Sequence, residues 1–386
     1  MSNTTKFSQR IHLSKPHMGD WEMRFVQEAF RDNWISTVGS HLNALEEEFS
    51  EFTGLPGVAI STGTAGIHLG LKLLGVRDGD EVVSPTLTFA GGCNPILYER
   101  ARPVFIDSER DSWNMDPALL EEFLEKRAKT GRLPRAVIVA HLFGQCADLD
   151  PILEVCRRFE VPLLEDAAEA LGASYKGRVP GTLGDVGVYS FNGNKIITGS
   201  SGGLLISPDA EKVRKARHWS TQARDPGLDY RHSELGYNYR MSNVVAAIAR
   251  GQFRVLEERV RQRRAVAFRY RDAFSDLPGI ELMPQAEFGR HTNWLSCFLI
   301  DEARFGISRN RLIEILDAAN VEARPVWKPM HAQKLYEGAE VIGGAVAEDL
   351  NLRGICLPSS SSLSGEEQSF VIDRVREACP AKRVAN

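Results

Sequence analysis

The spacing of apolar residues changes character along this chain. Residues 21–50 read as two helical stretches around Trp34-Ile35-Ser36-Thr37-Val38-Gly39. In the second, Leu42, Leu45 and Phe49 fall on one face. From 57 to about 207 the pattern becomes short apolar runs alternating with helical ones. The runs Val58–Ile60, Glu81–Ser84, Pro103–Ile106, Arg135–His141, Val161–Glu165, Val186–Ser190 and Gly203–Ser207 predict strands. Several alternate little and are rich in Val, Ile and Leu, as strands covered on both faces are. Helical stretches at 65–75, 117–128 and 148–160 lie between them. This order predicts an α/β fold with a mainly parallel sheet and helices on both sides.

Ser242–Phe274 holds no proline and one glycine, and it predicts a single long helix with Arg254–Arg264 as its charged face. Beyond about 276 the pattern restarts with a strand at Trp294–Ile300, a helix at Arg309–Ala319, a strand at Val321–Pro325 and a helix near Glu366–Cys379. The expected division is an N-terminal arm and large domain over 1–250, then the long helix and a small α+β domain over 251–386. There is no internal repeat, and Pro358–Ser362 reads as a short loop.

Composition narrows the classes. Of 386 residues, 43% are apolar and 25% charged, which is globular usage. A net charge of −4 gives no general pull toward nucleic acid or an anionic membrane. No uncharged apolar run reaches the roughly 18 residues of a membrane helix. The start, MSNTTKFSQR, lacks the apolar stretch of a secretory signal, so a cytoplasmic protein is expected. The six cysteines form no Cys-x-x-Cys pair, and the nine histidines form no His-Glu-x-x-His, so no metal site is expected.

Three segments remain as candidates for chemistry. Ile60-Ser61-Thr62-Gly63-Thr64-Ala65-Gly66 ends a strand and opens a helix, where backbone N–H groups favour an anion such as phosphate. It lacks the lysine of a Walker loop and is not a Gly-x-Gly-x-x-Gly fingerprint, and a plain helix-capping turn is the competing reading. Val161–Glu169 ends a buried strand in the adjacent carboxylates Glu165 and Asp166. A carboxylate there can hold a ring N–H⁺ or a metal, or simply cap a helix. In Val188–Lys195 a lysine follows a strand ending in Ser190. Most lysines are solvated surface groups. The order is what counts: a Gly/Thr turn, an aromatic loop, a strand-end Asp166, then Lys195 29 positions on. Pyridoxal phosphate requires that set: a helix start for the phosphate, an aromatic face for the ring, a carboxylate for the pyridine nitrogen and an amine for the aldehyde.

Over nearly its whole length the chain resembles the DegT/DnrJ/EryC1/StrS family of sugar aminotransferases, which has the aspartate-aminotransferase-like fold. The resemblance rests on Asn33–Gly39, Ser61–Ala65, Pro85-Thr86-Leu87-Thr88-Phe89, Glu165–Gly172, Ser190–Lys195, Gly236–Asn243 and Arg324–His331, in that order. It implies that Lys195 is the lysine joined to the cofactor and that Asp166 partners the pyridine nitrogen. It implies Phe89 stacked on the ring, and Gly63, Thr64, Ala65 and Ser190 around the phosphate. Glu169 falls where relatives often carry Gln or His near the ring hydroxyl. Asn238 matches an asparagine that reaches the phosphate of a neighbouring subunit, so a homodimer with shared active sites is expected. Thr37, Lys328 and His331 are candidates for substrate contact, with ordinary surface positions as the alternative for the last two.

Two departures from the family pattern stand out. Asn192-Gly193-Asn194-Lys195 replaces a common His-Pro-Asn-Lys, and Gly199–Gly203 replaces a common Thr-Gly-Glu-Gly-Gly. Relatives that dehydrate sugars carry His at the lysine position, so Lys195 favours transamination. The resemblance implies L-glutamate as donor and the C4 keto group of a UDP-4-keto-6-deoxy-N-acetylhexosamine as acceptor. GDP-4-keto-6-deoxymannose is the second candidate. A cofactor-binding regulator without turnover is a third reading, and a nicotinamide oxidoreductase lacks its glycine fingerprint.

Overall fold

The computed structural model describes residues 6–380. In chain order the first strands are β1 (Gly57–Ile60), β2 (Glu81–Pro85), β3 (Arg102–Ile106), β4 (Ala136–Ala140), β5 (Leu163–Asp166), β6 (Ser174–Tyr175), β7 (Val186–Ser190) and β8 (Gly203–Ile206). All but β6 join one sheet in the order β1-β8-β7-β5-β4-β2-β3, completed at the β3 edge by the strand Glu340–Ile342. From β7 to that edge every neighbour runs parallel, and β8 alone is antiparallel, to both β7 and β1. Every residue of β1, β4, β5 and β8 is buried, so these strands carry no polar alternation. The mainly parallel α/β sheet expected from the sequence is present.

Four helices set up the site: α1 (Asp20–Arg31), α2 (Ser40–Thr53), α3 (Gly63–Leu73) and α4 (Ala90–Tyr98). Leu42, Leu45 and Phe49 of α2 are buried, as their spacing predicts. Helix α3 lies close on the sheet because Gly66 and Gly70 face it. A Cβ on Gly66 would stand 2.4 Å from Ile60, and one on Gly70 2.5 Å from Leu164. Helix α4 has no counterpart in the sequence reading. Its AGGCNPILY composition is poor for a helix. Burial of Cys93 with Phe105, Met330 and Tyr336 compensates.

The single helix expected over Ser242–Phe274 is two helices, Asn243–Phe253 and Leu256–Ala273. Val255 between them takes φ −114° and ψ 12°. The two pieces pack on different partners. In the first, Gly251 sits so near α1 that a Cβ would be 2.7 Å from the Glu22 amide. In the second, Val266 and Tyr270 enter the core of the C-terminal sheet with Phe298 and Val371. The break lets each helix follow its own partner.

That C-terminal sheet is antiparallel, in the order Arg324–Pro325, Gly354–Leu357, Ser296–Ile300, Ile280–Leu282. Between its strands Arg324–Pro325 and Gly354–Leu357 the chain crosses back to pair Glu340–Ile342 with β3. Asp107, just past β3, fixes the return by accepting the amides of Gly344, Val346 and Ala347 at 2.6, 3.0 and 2.9 Å. No helix of the described residues is long and apolar enough to cross a membrane.

Candidate active site

The carboxyl ends of parallel strands are where open α/β sheets present ligands. Here β5 and β7 end in Asp166 and Ser190, and His141 directly follows β4, beside the start of α3. A cavity of about 450 Å³ opens there, and Gly63, Thr64, Phe89, Asp166, Glu169, Ser190 and Lys195 all line it.

Its walls are built locally. Thr62 caps α3, its hydroxyl accepting the Ala65 amide at 3.0 Å and its carbonyl the Gly66 amide at 3.2 Å. The amides of Gly63 and Thr64 precede the helical ladder, the usual place for an anion. Ala65 is therefore part of the cap and lies outside the lining. Phe89 stands before α4 with 57% of its surface exposed, and its ring is 5.5 Å from that of Trp327. Asp166 Oδ1 accepts the Ala168 amide at 3.1 Å. Oδ2 lies 2.9 Å from where a Cβ on Gly92 would stand. Burial raises the Asp166 pKa, against the Ala168 amide and the Lys195 charge, which lower it.

Lys195 Nζ donates to Glu169 Oε1 at 3.2 Å and sits 4.4 Å from the centre of the Trp294 ring. Glu169 Oε2 accepts the Phe143 amide at 2.9 Å. Phe143 is a buried residue at φ 54°, a costly conformation that turns its amide toward this carboxylate. Burial raises the Glu169 pKa, with Lys195 opposing.

These residues fit pyridoxal phosphate. Glycine is required where the cradle is tightest, since a Cβ on Gly63 would be 3.0 Å from the Ser190 Cβ and one on Gly92 would crowd Asp166. The remaining expected residues lie outside the cavity. Asn238 is exposed and accepts from Gln222 Nε2 at 3.1 Å. Thr37 is exposed in the loop between α1 and α2. Lys328 is exposed, and its carbonyl accepts from Gln333 at 3.3 Å. His331 is engaged with Thr86 at 2.6 Å and Glu348 at 3.0 Å.

Lining residues to which the sequence reading assigned no role include His141, Trp294, Arg324 and Trp327. His141 ends a strand candidate at the same sheet edge as Asp166, and that shared position was a usable signal. Arg324 opens the Arg324–His331 segment of the resemblance, whereas Trp294, just before the strand Ser296–Ile300, has nothing local to mark it. No group of three or more His, Cys, Asp or Glu side chains among the described residues could hold a metal.

The fold and the site define a class: an α/β enzyme of the aspartate-aminotransferase-like kind, with a lysine and a carboxylate meeting at the strand ends. The chain belongs to the DegT/DnrJ/EryC1/StrS aminotransferase family, whose pattern it matches over residues 16–376. It is thus a sugar aminotransferase dependent on pyridoxal phosphate. It is 46% identical over 370 residues to EpsN of Bacillus subtilis (strain 168), provisionally named a pyridoxal phosphate-dependent aminotransferase, covering 95% of each chain. It is 35% identical to GDP-perosamine synthase of Caulobacter vibrioides, covering 95% of this chain and 96% of that one. Among solved structures, the aminotransferase TlmJ from Streptoalloteichus hindustanus is similar, with TM-score 0.89 and 31% identity over 97% of this chain and 100% of that one.

Proposed function

We propose that this enzyme moves an amino group from L-glutamate to the C4 keto group of a nucleotide-linked 4-keto-6-deoxy sugar. The observation that carries the reading is the meeting of the Lys195 amine, the Asp166 carboxylate and the open start of α3 in one cavity. When bound, pyridoxal phosphate supplies an aldehyde and an electron-withdrawing ring that carries the amino group between donor and acceptor. Gly63, Thr64 and Ser190 hold its phosphate, Phe89 covers the ring, and Asp166 keeps a proton on the ring nitrogen. Lys195 Nζ would hold the aldehyde. As a free amine it would be the group placed to take a proton from the donor Cα and deliver it to the cofactor. Glu169, 3.2 Å away, orients that amine.

The acceptor we favour is a UDP-4-keto-6-deoxy-N-acetylhexosamine, on the likeness of His17–Asp20, Asn33–Thr37 and Trp327–His331 to enzymes of that substrate. Thr37, Lys328 and His331 would meet it. The similarity to GDP-perosamine synthase supports GDP-4-keto-6-deoxymannose as the second reading. We place the site at a homodimer interface in the cytoplasm, with Asn238 reaching the partner's cofactor phosphate. Exposed apolar side chains flank both peripheral residues: Trp34, Ile35 and Val38 near Thr37, and Leu228, Tyr230 and Leu235 near Asn238.

The test is glutamate-dependent amination of UDP-, GDP- and dTDP-linked 4-keto-6-deoxy sugars, followed by the mass of the product. Amination of the UDP-N-acetylhexosamine at the highest kcat/KM is expected. Preference for the GDP sugar would move the assignment to the second reading, and no product from any of them would overturn it.

A further inference from the structure

Arg263 lies on the helix Leu256–Ala273, far in sequence from every residue of the cavity, and is 1% exposed. A buried guanidinium is ordinarily matched by a carboxylate. Here all its acceptors are neutral. Nη1 donates to the Trp294 carbonyl at 2.6 Å, to the Ser359 carbonyl at 3.2 Å and to Ser14 Oγ at 3.2 Å. Nη2 donates to the same Ser14 Oγ at 3.1 Å. Burial, followed by the nearby Arg259, draws its pKa down to about 9. A methionine would fill the space at lower desolvation cost, so the charge calls for an explanation beyond packing.

Two of the three acceptors lead to one atom. Ser14 accepts from Arg263, which leaves its own hydroxyl hydrogen to donate to the Asn194 carbonyl at 2.8 Å. Trp294, held at its carbonyl by Arg263, donates its indole Nε1–H to that same Asn194 oxygen, also at 2.8 Å. The Asn194 carbonyl belongs to the peptide that carries the Lys195 amide, and that amide donates to the Asn192 carbonyl at 3.0 Å. The Lys195 backbone is therefore gripped on both sides of one peptide plane. The face of the same Trp294 lies 4.4 Å from Nζ.

We propose that Arg263 is a positioning residue for Lys195, acting through Ser14 and Trp294 on the Asn194 carbonyl. The inference rests on the lysine role given above. A charged donor polarises the hydrogen bonds beyond it, and a chain of such bonds fixes one geometry. Lys195 must let go of the cofactor and recapture it in every turnover, so its amine has to return to one place. An amine misplaced by about 1 Å loses on the order of 10²-fold in rate.

The test uses the full-length apoprotein with Arg263→Lys, Ser14→Ala and the double variant. It reads the rate of covalent capture of pyridoxal phosphate, with the modified residue mapped after borohydride reduction. Thermal melting and the kinetics of the glutamate half-reaction accompany it. Ser14→Ala should slow capture about fivefold, the worth of one neutral hydrogen bond. Its kcat should fall with the KM for L-glutamate unchanged, and its melting temperature should fall by only a few degrees as Arg263 Nη2 loses its acceptor. Arg263→Lys loses the fork geometry and should slow capture by roughly tenfold to a hundredfold. Adding Ser14→Ala to it should cost nothing more. Wild-type capture rates in the folded variants would overturn the proposal. So would losses that only track the melting temperature. If Arg263→Lys does not fold, an unchanged rate in Ser14→Ala is enough to sink it. Capture by wild type at a residue other than Lys195 would overturn the lysine role and this inference together.

Discussion

Successive side chains of a strand point to opposite faces of a sheet, so the neighbours Glu165 and Asp166 at the end of β5 serve different sides. Glu165 is fully buried and bonded on every side. Its Oε2 accepts from His141 Nε2 at 3.0 Å and the Gly181 amide at 2.7 Å, and its Oε1 accepts the amides of Leu183 and Gly184, each at 2.6 Å. Burial is the largest influence on it and pushes its pKa up, yet His141 and the loop amides outweigh that and hold it low. Asp166 has one amide and a charged lysine nearby, and burial wins. One carboxylate is stabilised by the fold. The other is kept at a cost that a bound ring nitrogen would offset. A functional carboxylate and a structural one are thus told apart by their hydrogen bonds, not by their burial or type.

The largest effect expected lies on the cavity side. Lys195→Ala should lower product formation about 10⁴-fold or more, measured by mass spectrometry of the amino sugar. Asp166→Asn should lower kcat about 10²-fold, because a neutral amide cannot keep the ring nitrogen protonated. The same change should stabilise the apoprotein at neutral pH. The folded pKa of Asp166 lies above its ordinary 3.8. Its contribution to stability is therefore lost as pH rises through that window, and Asn removes the cost. Denaturant melts of apoprotein against pH check both signs.

On the other face the order reverses. Glu165→Gln should destabilise the protein by about 2 kcal/mol at pH 7, with little change in kcat per folded molecule. The pKa of Glu165 is held below 4.5, so the stability it provides is lost as pH falls through the folded value. The smallest effect on the site is expected at Gly181, which takes φ +92° beside Tyr189. Gly181→Ala should cost about 2–4 kcal/mol, from the left-handed backbone and a Cβ 2.8 Å from the Tyr189 hydroxyl, and leave cofactor capture unaltered. A large loss of capture in either of these two would erase the distinction between the faces.

What the sequence displayed follows the same division. The β/α alternation, the Thr62 turn, Asp166 and Lys195 are local signals, because a strand end and the turn after it lie within a few residues. Buried strands announce themselves by unbroken apolar runs. The break at Val255 is not local, since it depends on which partners the two helices meet. The return of Glu340–Ile342 to β3 is set by Asp107, more than 200 positions earlier. Trp294 and Arg263 reach the site from the C-terminal half, and only the folded chain brings them to Asn194. The peripheral residues Thr37, Asn238, Lys328 and His331 were named from resemblance. In one chain they lie outside the cavity, and the roles proposed for them call for a partner or a substrate.

The central claim is tested most directly by reducing the holoenzyme with borohydride, digesting it and locating the pyridoxyl group by mass spectrometry. The account predicts the added mass on the peptide that contains Lys195, lost in Lys195→Ala. A fully loaded protein with the label on another lysine and Lys195 unmodified would contradict it.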